Sequence, residues 1–570
     1  MPSTQKNPIQ RKMVGWYDPF QLLRTAKEVV VSSLLGVRAD YRLLESLAAE
    51  QGIFDYTDQD EVWLDYVADL GDGWDATYTI ACLLSATSLT LRQRESRESV
   101  NTERGRILVM GGDQIYPTAS RSGYEERTLG PYDCAFHECD PPHSDLFATP
   151  GNHDWYDGLV SFSRLFCQGR WFGGRQTKQR RSYFALRLPH NWWLWGVDIQ
   201  LESDIDRPQI EYFRKVTEAM KEGDLVIIAT AEPHWIYGNI YDPALQSNLA
   251  FLEEKIIQPK ARVQVWLAGD LHHYRRHETT DGSRTQLITA GGGGAFLHPT
   301  FGPPVPTICV GPAANVSAEL RSEFPDQMTS KRLLRRNLLF PFLNPRFGIL
   351  TGLVYLAVGG LLLPLSQQRL LDYPLSLGGL CGALRFALGS ALRSPLALFL
   401  ILVVIGGFIA FTDTHNKTYK WVAGSIHGVA HLLVVVFVAW VVVHLVNGAA
   451  HATPGSLADT WLNLFGSFLG GYFLGAVLMG LYLYVSLRFF RRHSNEAFSS
   501  LHIPDYKNFL RMRIDRRGQL TVFPIGIETV PRTWKAAANP GKGDPRLVPK
   551  HEGQLNPFLI EPPITLDGRR

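Results

Sequence analysis

The sequence predicts an α/β domain that is followed by an α-helical membrane bundle of about four spans. Two observations lead to this fold class. Before residue 340, short apolar runs end in Gly, Asp, Asn or His, which is typical of buried strands whose loops carry polar groups. Between residues 345 and 490, four long runs contain no charged residue. We therefore predict an N-terminal helical segment over 1–58, an α/β domain over 59–340, a transmembrane region over 345–490 and a C-terminal tail over 491–570.

The bulk composition excludes some classes of protein. Charged residues make up 19% of the chain and the formal net charge is +3, without a basic patch among aromatic residues, so we expect no nucleic-acid partner. The six cysteines are scattered and do not indicate a disulfide framework. Cys134, His137, Cys139 and His143 fit no common structural zinc spacing. Residues 1–20 have no apolar core, so no signal peptide is predicted and the α/β domain is expected in the cytosol.

The four uncharged runs are the candidate membrane spans, because a span needs about 20 mostly apolar residues. They cover 347–365, 395–411, 422–446 and 461–487. Basic residues crowd both ends of the region: Lys331, Arg332, Arg335, Arg336 and Arg346 precede it, and Arg488, Arg491 and Arg492 follow it. The positive-inside rule then places the α/β domain and the tail in the cytosol. Residues 374–392 either lie at the membrane interface or span it, and the second case gives five spans with the tail on the opposite side.

Three histidines lie inside the third run, at His427, His431 and His444. An ionisable residue within a membrane span is a functional hypothesis by default. His427 and His431 are four residues apart and share a helix face, so they could bind a metal or relay protons. We favour neutral histidines that form hydrogen bonds between helices.

Five apolar runs of the first domain each end in polar side chains of the kind that bind metal ions. In chain order these are Asp69, Asp72 and Asp75; Asp113 and Tyr116; Asn152, His153 and Asp154; Glu232 and His234; Asp270, His272 and His273. In an α/β sheet, functional groups gather beyond the carboxyl ends of the strands. We therefore expect the five groups to meet in one cleft.

This ordered set resembles the calcineurin-like metallophosphoesterase superfamily. The matching motifs are Asp69-Leu70-Gly71, Gly112-Asp113, Gly151-Asn152-His153-Asp154, an isolated His234 and Gly269-Asp270-Leu271-His272, and the resemblance covers residues 60 to 300. It implies a β-sandwich flanked by helices, which carries two metal ions bridged by Asp113 and a hydroxide. Asp69 and His272 would complete the first metal site, and Asn152, His234 and Asp270 the second. His153 would contact the phosphate, with Asp154 orienting its ring.

The sequence departs from the family pattern at two positions. Gly71 stands where many members have a histidine, which is the form found in purple acid phosphatases. Those proteins use the tyrosine of Gly-Asp-x-x-Tyr, and the matching residue here is Tyr116; the alternative is that Tyr116 packs beside the site while Asp72 or water completes the coordination. Asp270 replaces the first histidine of the last motif, and we expect it to bind metal in its place. The donor set suits two divalent or mixed-valence ions of Mn, Fe, Zn or Mg.

Basic residues near the site are candidates for binding substrate. Arg180 and Arg181, with Arg175 and Lys178, precede a predicted strand. They could hold a phosphate, contact anionic lipid or form a solvated loop.

Two functions of different classes follow from these features. The first is a membrane-anchored phosphoesterase that hydrolyses phosphate mono- or diesters in the cytosol, with a phosphate ester, lipid-linked or not, and the lipid bilayer as its partners. The second is a catalytically altered domain that serves as a membrane sensor or transporter regulator. The C-terminal tail is predicted to form a β-hairpin over residues 509–527, as a small appendage without chemistry of its own.

Overall fold

The computed structural model describes residues 8–25, 27, 51–94, 98–136, 144–199, 205–302, 304–362, 368–412, 416–551 and 553–568. These residues form two compact units. The first contains the described residues up to Val14, those from Arg24 to Ser330 and those from His502 onward; the second contains Gly15–Leu23 and Lys331–Leu501. The first unit is mixed α/β and the second is helical, which confirms the predicted fold class at this level.

The first unit holds all the strands of the described residues. They are β1 (Phe54–Asp55), β2 (Val62–Val67), β3 (Ser88–Gln93), β4 (Ser99–Glu103), β5 (Ile107–Met110), β6 (Asp145–Ala148), β7 (Trp171–Phe172), β8 (Arg175–Thr177), β9 (Phe184–Arg187), β10 (Trp192–Gly196), β11 (Asp224–Ala229), β12 (Ala261–Ala268), β13 (Tyr274–Thr279), β14 (Gln286–Ala290), β15 (Thr307–Val310), β16 (Val316–Phe324), β17 (Lys507–Ile514), β18 (Leu520–Ile527), β19 (Trp534–Ala536), β20 (Leu547–Pro549), β21 (Phe558–Leu559) and β22 (Ile564–Leu566).

Two large sheets are built from these strands. One has the order β1-β9-β10-β11-β12-β14-β13-β16-β15, and the other has the order β4-β3-β21-β18-β17-β2-β5-β6-β8-β7 with β22 beside β18. Strands β2, β5 and β6 are parallel neighbours, and so are β10, β11, β12 and β14. One hydrophobic core takes side chains from both sheets, including Leu64 and Val109 from the second and Ile227 and Leu267 from the first.

The helices of the first unit surround the sheets, and those of the second unit form a bundle. In chain order they are α1 (Trp74–Ser85), α2 (Arg121–Tyr124), α3 (Gly130–Ala135), α4 (Asn152–Trp155), α5 (Val160–Phe166), α6 (Arg207–Ala219), α7 (His234–Ile240), α8 (Ser247–Phe251), α9 (Gln327–Leu334), α10 (Phe340–Leu343), α11 (Pro345–Leu362), α12 (Leu377–Leu392), α13 (Pro395–Phe411), α14 (Lys417–Gly448), α15 (Leu457–Gly470), α16 (Ala476–Val485) and α17 (Ser494–Ser499).

The C-terminal tail is part of the second sheet. Strands β17 and β18 form the predicted hairpin, with Lys507 opposite Ile527 and Ile514 opposite Leu520. The other edge of β17 pairs with β2, so the prediction of a separate appendage is wrong. Nearly every residue of β17 is buried, as expected of a strand that is covered on both faces.

The predicted N-terminal helical segment is described only in part. Residues 1–7, 26 and 28–50 lie outside the described residues. Within the remainder, Phe54–Asp55 form β1, which pairs in parallel with β9. The end of this segment is therefore an edge strand of the first sheet.

The second unit contains the candidate membrane spans. Lys417–Gly448 and Leu457–Phe490 are long and apolar enough to cross a bilayer, with mean hydropathies of 2.7 and 1.7. Two bent pairs pass the same test together, Gln327–Leu343 with Pro345–Gly360 at 63° and Leu377–Leu392 with Pro395–Phe411 at 109°. The described residues of the unit thus contain two candidate spans, or up to four if each bent pair is one span.

Three histidines of α14 form polar contacts within this bundle. His427 and His431 are both buried, and their Nε2 atoms lie 3.2 Å apart. The Tyr355 hydroxyl of α11 lies 2.9 Å from His431 Nδ1. His444 Nδ1 lies 2.8 Å from the Trp440 carbonyl oxygen of its own helix. His427 and His431 share a helix face, as predicted, and His431 makes the expected hydrogen bond to another helix.

Candidate active site

The ends of five strands carry the predicted site residues. Asp69 follows β2, Asp113 follows β5, Asn152 begins α4 after β6, and His234 begins α7 after β11, while Asp270 and His272 follow β12. Three of the predicted metal ligands, Asp69, Asp113 and Asp270, have φ angles of 59°, 50° and 63°. Such left-handed backbone costs about 1–3 kcal/mol per residue and clusters at functional sites.

The Tyr116 hydroxyl is the point at which the predicted ligands of the first metal meet. It lies 3.1 Å from Asp69 Oδ1, 3.0 Å from Asp113 Oδ2 and 2.9 Å from His272 Nε2. The His272 Nδ1–H donates to the Phe296 carbonyl oxygen at 2.7 Å, so Nε2 is an acceptor. When both carboxylates are ionised, one hydroxyl hydrogen can serve only one of the three acceptors, so the other two contacts join lone pairs to lone pairs. A cation at this point would resolve the conflict.

Carboxylates are crowded around the same point. Burial and the neighbouring charges of Asp113 and Asp270 raise the pKa of Asp69 well above its usual range. Burial and Asp270 likewise raise the pKa of Asp113 to about 8. Groups of this kind remain ionised at neutral pH when a cation neutralises them. Within the described residues, no three His, Cys, Asp or Glu side chains already surround a common point in the manner of a metal site.

The predicted ligands of the second metal are less closely connected. The Asp270 backbone N–H donates to Asp69 Oδ2 at 2.9 Å, and the Tyr237 hydroxyl donates to the Asp270 carboxylate. His234 Nδ1–H donates to the Glu232 carbonyl oxygen at 2.8 Å, which leaves Nε2 as the acceptor nitrogen. Asn152 Nδ2 donates to the Tyr156 hydroxyl at 3.4 Å. In the described part of the chain, no hydrogen bond joins Asn152 or His234 to another predicted ligand.

His153 lies beside the first group, but Asp154 does not orient it. The backbone N–H of His153 donates to Asp113 Oδ1 at 3.0 Å, and its Nδ1–H donates to the Pro117 carbonyl oxygen at 2.6 Å. Asp154 accepts instead from the Gly151 and Gln114 N–H groups at 2.8 and 3.3 Å and from the Tyr124 hydroxyl. Asp154 therefore stabilises the loops that carry Asp113 and His153, since a carboxylate one residue along a helix points away from the ring.

The glycine of the GNHD motif is required by close packing. A Cβ atom at Gly151 would lie 2.0 Å from Asp113 Oδ1 and 2.5 Å from its backbone nitrogen. Any side chain here would displace Asp113. The motif thus places the backbone that follows β6 directly against the Asp113 carboxylate, which follows β5.

Two other acidic residues that follow β2, Asp72 and Asp75, accept hydrogen bonds from other segments of the first unit. Asp72 Oδ1 accepts from the Val14 N–H at 2.7 Å and Oδ2 from the Phe296 N–H at 3.2 Å. Asp75 Oδ1 accepts from the Trp534 indole N–H at 2.8 Å. Because backbone donors occupy both oxygens of Asp72, the alternative in which it completes the metal coordination is not supported. His273 is 1% exposed and belongs to the core.

The candidate basic residues have different surroundings. Arg175 is buried, and its guanidinium donates to the carbonyl oxygens of Leu84 and Gly173, so it is not a substrate ligand. Lys178 Nζ lies 3.5 Å from Asp145. Arg180 is exposed and Arg181 is buried, and the backbone N–H groups of both donate to Gln51 Oε1. A role for Arg180 and Arg181 in substrate binding stays a prediction.

Some residues at this site have no signal in the sequence. The Phe296 carbonyl oxygen accepts from His272, and Tyr237 donates to Asp270. Lys507 donates to the carbonyl oxygen of Ala295, the residue before Phe296. Lys507 follows the membrane region, so nothing local indicates that it reaches the site. Of the cysteine and histidine set weighed for zinc, Cys134 is buried in α3, and His137, Cys139 and His143 lie outside the described residues.

Comparisons with known proteins give only weak likenesses. No family model and no curated protein matches the chain. Among solved structures, GAP50, the anchor in the inner membrane complex of Plasmodium, is similar with a TM-score of 0.31 and 15% identity, over 42% of this chain and 74% of that one. PhoD is similar with a TM-score of 0.24 and 12% identity, over 41% of this chain and 58% of PhoD. Scores this low carry no argument, and the comparisons assign the chain to no family.

Proposed function

We propose that this chain is a membrane-anchored phosphoesterase of the calcineurin-like type, with a β-sandwich catalytic unit that uses two metal ions. The observation that carries the proposal is the position of the Tyr116 hydroxyl, within 3.1 Å of Asp69, Asp113 and His272. Three acceptors around one hydroxyl hydrogen fit a cation better than a closed hydrogen-bond network. This assigns Asp69, Asp113, Tyr116 and His272 to the first metal, and Asp113, Asn152, His234 and Asp270 to the second.

The donor set fits the proposed metals. Carboxylate, phenol, amide and imidazole groups suit Mn, Fe, Zn or Mg, and thiolates are absent from the assigned ligands. Two such ions activate a water molecule and neutralise the phosphoryl oxygens when they are bound. His272 and His234 each donate Nδ1–H to a backbone carbonyl oxygen, which leaves the Nε2 lone pair as the one that would bind a metal, as is usual for histidine ligands.

His153 is the residue that we assign to the substrate. The Pro117 carbonyl oxygen holds its Nδ1–H, so Nε2 is the nitrogen assigned to the phosphate ester. Burial lowers the pKa of His153 to about 4, so the ring is neutral at pH 7 in the absence of substrate. The negative charge of a phosphate ester opposes this lowering. His153 can then take up a proton and transfer it to the leaving oxygen.

The pairing of strands indicates that the parts of the catalytic unit before and after the membrane region lie on the same side of the bilayer. Strand β2 precedes the membrane region and β17 follows it, yet the two pair along five residues. Hydrogen-bonded neighbours in a sheet lie on the same side of a bilayer, so the number of crossings is even. Four spans satisfy this condition and five do not. The basic residues at both ends of the region then favour the cytosolic side.

The proposal is tested by assaying the purified full chain with an aryl phosphate and an aryl phosphodiester, with Mn, Zn, Fe or Mg added. We expect hydrolysis with about two metal ions per chain. Asp113→Asn removes the carboxylate shared by both sites and should abolish activity. Asp281→Asn makes the same chemical change in an exposed turn, away from the assigned ligands, and should leave activity unchanged.

Two outcomes would contradict the proposal that the chain is an enzyme. The first is a wild-type chain that binds no metal, and the second is equal activity of the wild type and Asp113→Asn with every metal. Either result would favour the alternative of a membrane sensor or transporter regulator. If the chain is active, comparing its rates of hydrolysis of soluble esters and of lipid phosphates in vesicles would show whether it prefers a lipid-linked substrate.

A further inference from the structure

The segment after β14 connects two of the proposed ligands of the first metal. It runs through four glycines to Ala295 and Phe296. The Ala295 N–H donates to the Asp69 carbonyl oxygen at 2.8 Å. The Phe296 carbonyl oxygen accepts from His272 Nδ1–H at 2.7 Å. The position of this segment therefore decides where the His272 ring points.

The peptide group between Ala295 and Phe296 is held from both sides. Lys507 Nζ donates to its oxygen at 2.6 Å, and its N–H donates to Asp72 Oδ2 at 3.2 Å. Lys507 comes from β17, and Asp72 comes from the loop after β2. The next residue of β17 supports the same segment, because the Asn508 N–H donates to the Gly292 carbonyl oxygen at 3.1 Å.

Lys507 is an unusual residue for this position. Its side chain is 0% exposed, as is that of Asp72. A completely buried lysine is costly unless its charge is compensated and its ammonium group is hydrogen-bonded. Asp505, Asp72 and Asp69 supply the compensating charge. An apolar side chain would fill the sheet interior without this cost, so the lysine needs a reason other than packing.

We propose that Lys507 and Asp72 are positioning residues that clamp the Ala295–Phe296 peptide and thereby hold His272 with Nε2 toward Tyr116 and Asp69. The inference rests on the proposed function, since it assigns a purpose to the orientation of a metal ligand. According to this proposal, a strand that follows the membrane region in the chain helps to position a ligand of the first metal. Groups that are hydrogen-bonded directly to a metal-binding histidine typically change metal affinity 10–100-fold when they are replaced. Lys507 and Asp72 act on such a group through the adjoining peptide, so this range is the upper limit of their effect.

The test compares variants of the purified full chain by metal affinity, kcat, KM and thermal stability. Lys507→Met keeps the length of the side chain and removes its charge and its donor. We expect metal affinity to fall at one of the two sites, by up to about 100-fold. The kcat at limiting metal should fall with it and recover in excess metal, while KM for the ester stays constant. A merely structural loss would lower stability and would not be restored by metal.

Matched variants distinguish the loss of the clamp from the effect of any substitution in β17. Arg513→Met changes a basic residue of the same strand that pairs with Glu61 near the surface, and it should leave metal affinity unchanged. Asp72→Asn alters the other side of the clamp and should reproduce the loss of affinity. The double variant of Lys507 and Asp72 should lose no more than the worse single variant, because both act through one peptide group.

The outcomes distinguish this inference from the proposed function. If the wild type binds two metals and is active, and both Lys507→Met and Asp72→Asn match its metal affinity, the clamp is refuted and the phosphoesterase stands. Independent, multiplicative losses in the double variant would also refute it. Should Lys507→Met fail to fold, an unchanged affinity in Asp72→Asn refutes the clamp by itself. A wild type that binds no metal ends both proposals.

Discussion

Arg511 and Asp65 are 446 residues apart in the chain and form a completely buried ion pair between β17 and β2. Arg511 Nε lies 2.7 Å from Asp65 Oδ1, and both side chains are 0% exposed. Asp65 also accepts from the Gly105 N–H at 3.0 Å. The pair lies in the sheet four residues before Asp69, so it ties the C-terminal strand to the strand that carries the first proposed ligand.

Breaking this ion pair should destabilise the first unit. Arg511→Met leaves Asp65 charged and buried, and such a loss costs about 3–5 kcal/mol. Combining Arg511→Met with Asp65→Leu replaces the pair by apolar side chains and should recover most of the loss. Thermal unfolding of the full chain in detergent measures both changes. The matched control is Arg513→Met, whose half-exposed pair with Glu61 should contribute at most about 1 kcal/mol. Equal losses in Arg511→Met and Arg513→Met would contradict the prediction.

Removing the Tyr116 hydroxyl should disturb the first metal site. Tyr116→Phe keeps the ring and removes the oxygen that contacts Asp69, Asp113 and His272. We expect weaker binding of one of the two metals and, if that metal is ferric, loss of a visible charge-transfer band. Tyr124→Phe removes a hydroxyl that contacts Asp154 and should keep both metals. A colourless, fully metallated and active wild type would rule out binding of a ferric ion by Tyr116.

The aspartate at position 270 should influence which metal the second site prefers. A carboxylate favours harder cations, whereas an imidazole favours Zn. Asp270→His should therefore shift the ratio of apparent affinities from Mn toward Zn, and Asp270→Ala should weaken binding of both. Competition titrations with the two metals measure the ratio. Unchanged affinities for both metals in Asp270→Ala, together with an unchanged ratio in Asp270→His, would show that Asp270 does not bind metal.

Buried His277 should make the first unit less stable in acid. Burial lowers its pKa to about 4, and its Nε2–H donates to the Val305 carbonyl oxygen at 2.8 Å. The unfolded chain takes up a proton near pH 6.5, so stability is complete above that pH and falls as the pH drops toward 4. His277→Gln keeps a donor and removes the titration, which should reduce the loss by about 3 kcal/mol. Unfolding temperatures measured from pH 7 to pH 4 test this, and equal slopes in both proteins would disprove it.

The two ends of the membrane region should be accessible from the same side of the bilayer. In a chain whose six native cysteines are changed to Ser, single cysteines can be introduced by reversion at 309, by Arg516→Cys in the tail, and by His451→Cys in the loop between α14 and α15. An impermeant maleimide applied to oriented vesicles should label positions 309 and 516 from one face and position 451 from the other. Labelling of 309 and 516 from opposite faces would exclude the even number of crossings.

Much of the site could be predicted because its signals are local. Asp69, Asp113, Asn152, His234, Asp270 and His272 each directly follow an apolar strand, and the carboxyl ends of neighbouring strands meet at one edge of a sheet. The order of these residues along the chain therefore predicted their convergence. The contacts of Tyr116 and Asp69 bring Asp113, Asp270 and His272 together, and the approach of Asn152 and His234 stays a prediction. The uncharged runs of the membrane region are equally local, since a bilayer selects on the length and polarity of each helix.

Contacts between distant segments had no such signal. The role expected for Asp154 was wrong because its oxygens face the Gly151, Gln114 and Tyr124 donors, which depends on how three loops pack. The alternative role of Asp72 failed for the same reason. Arg180 and Arg181 stay undecided, because the direction of a side chain toward a substrate cannot be inferred from spacing.

The sequence by itself determined the strand-end motifs, the uncharged spans and the β-hairpin of the tail, since each is encoded within about 20 neighbouring residues. Only the tertiary structure decided that this hairpin enters the sheet beside β2, with Lys507 against the Ala295 carbonyl oxygen and Arg511 against Asp65. The alternation of polar and apolar residues predicts that a segment is a strand, but it does not identify the strand that pairs with it, because every sequence offers the same backbone hydrogen bonds. The partner is chosen by burial and charge compensation in the complete fold.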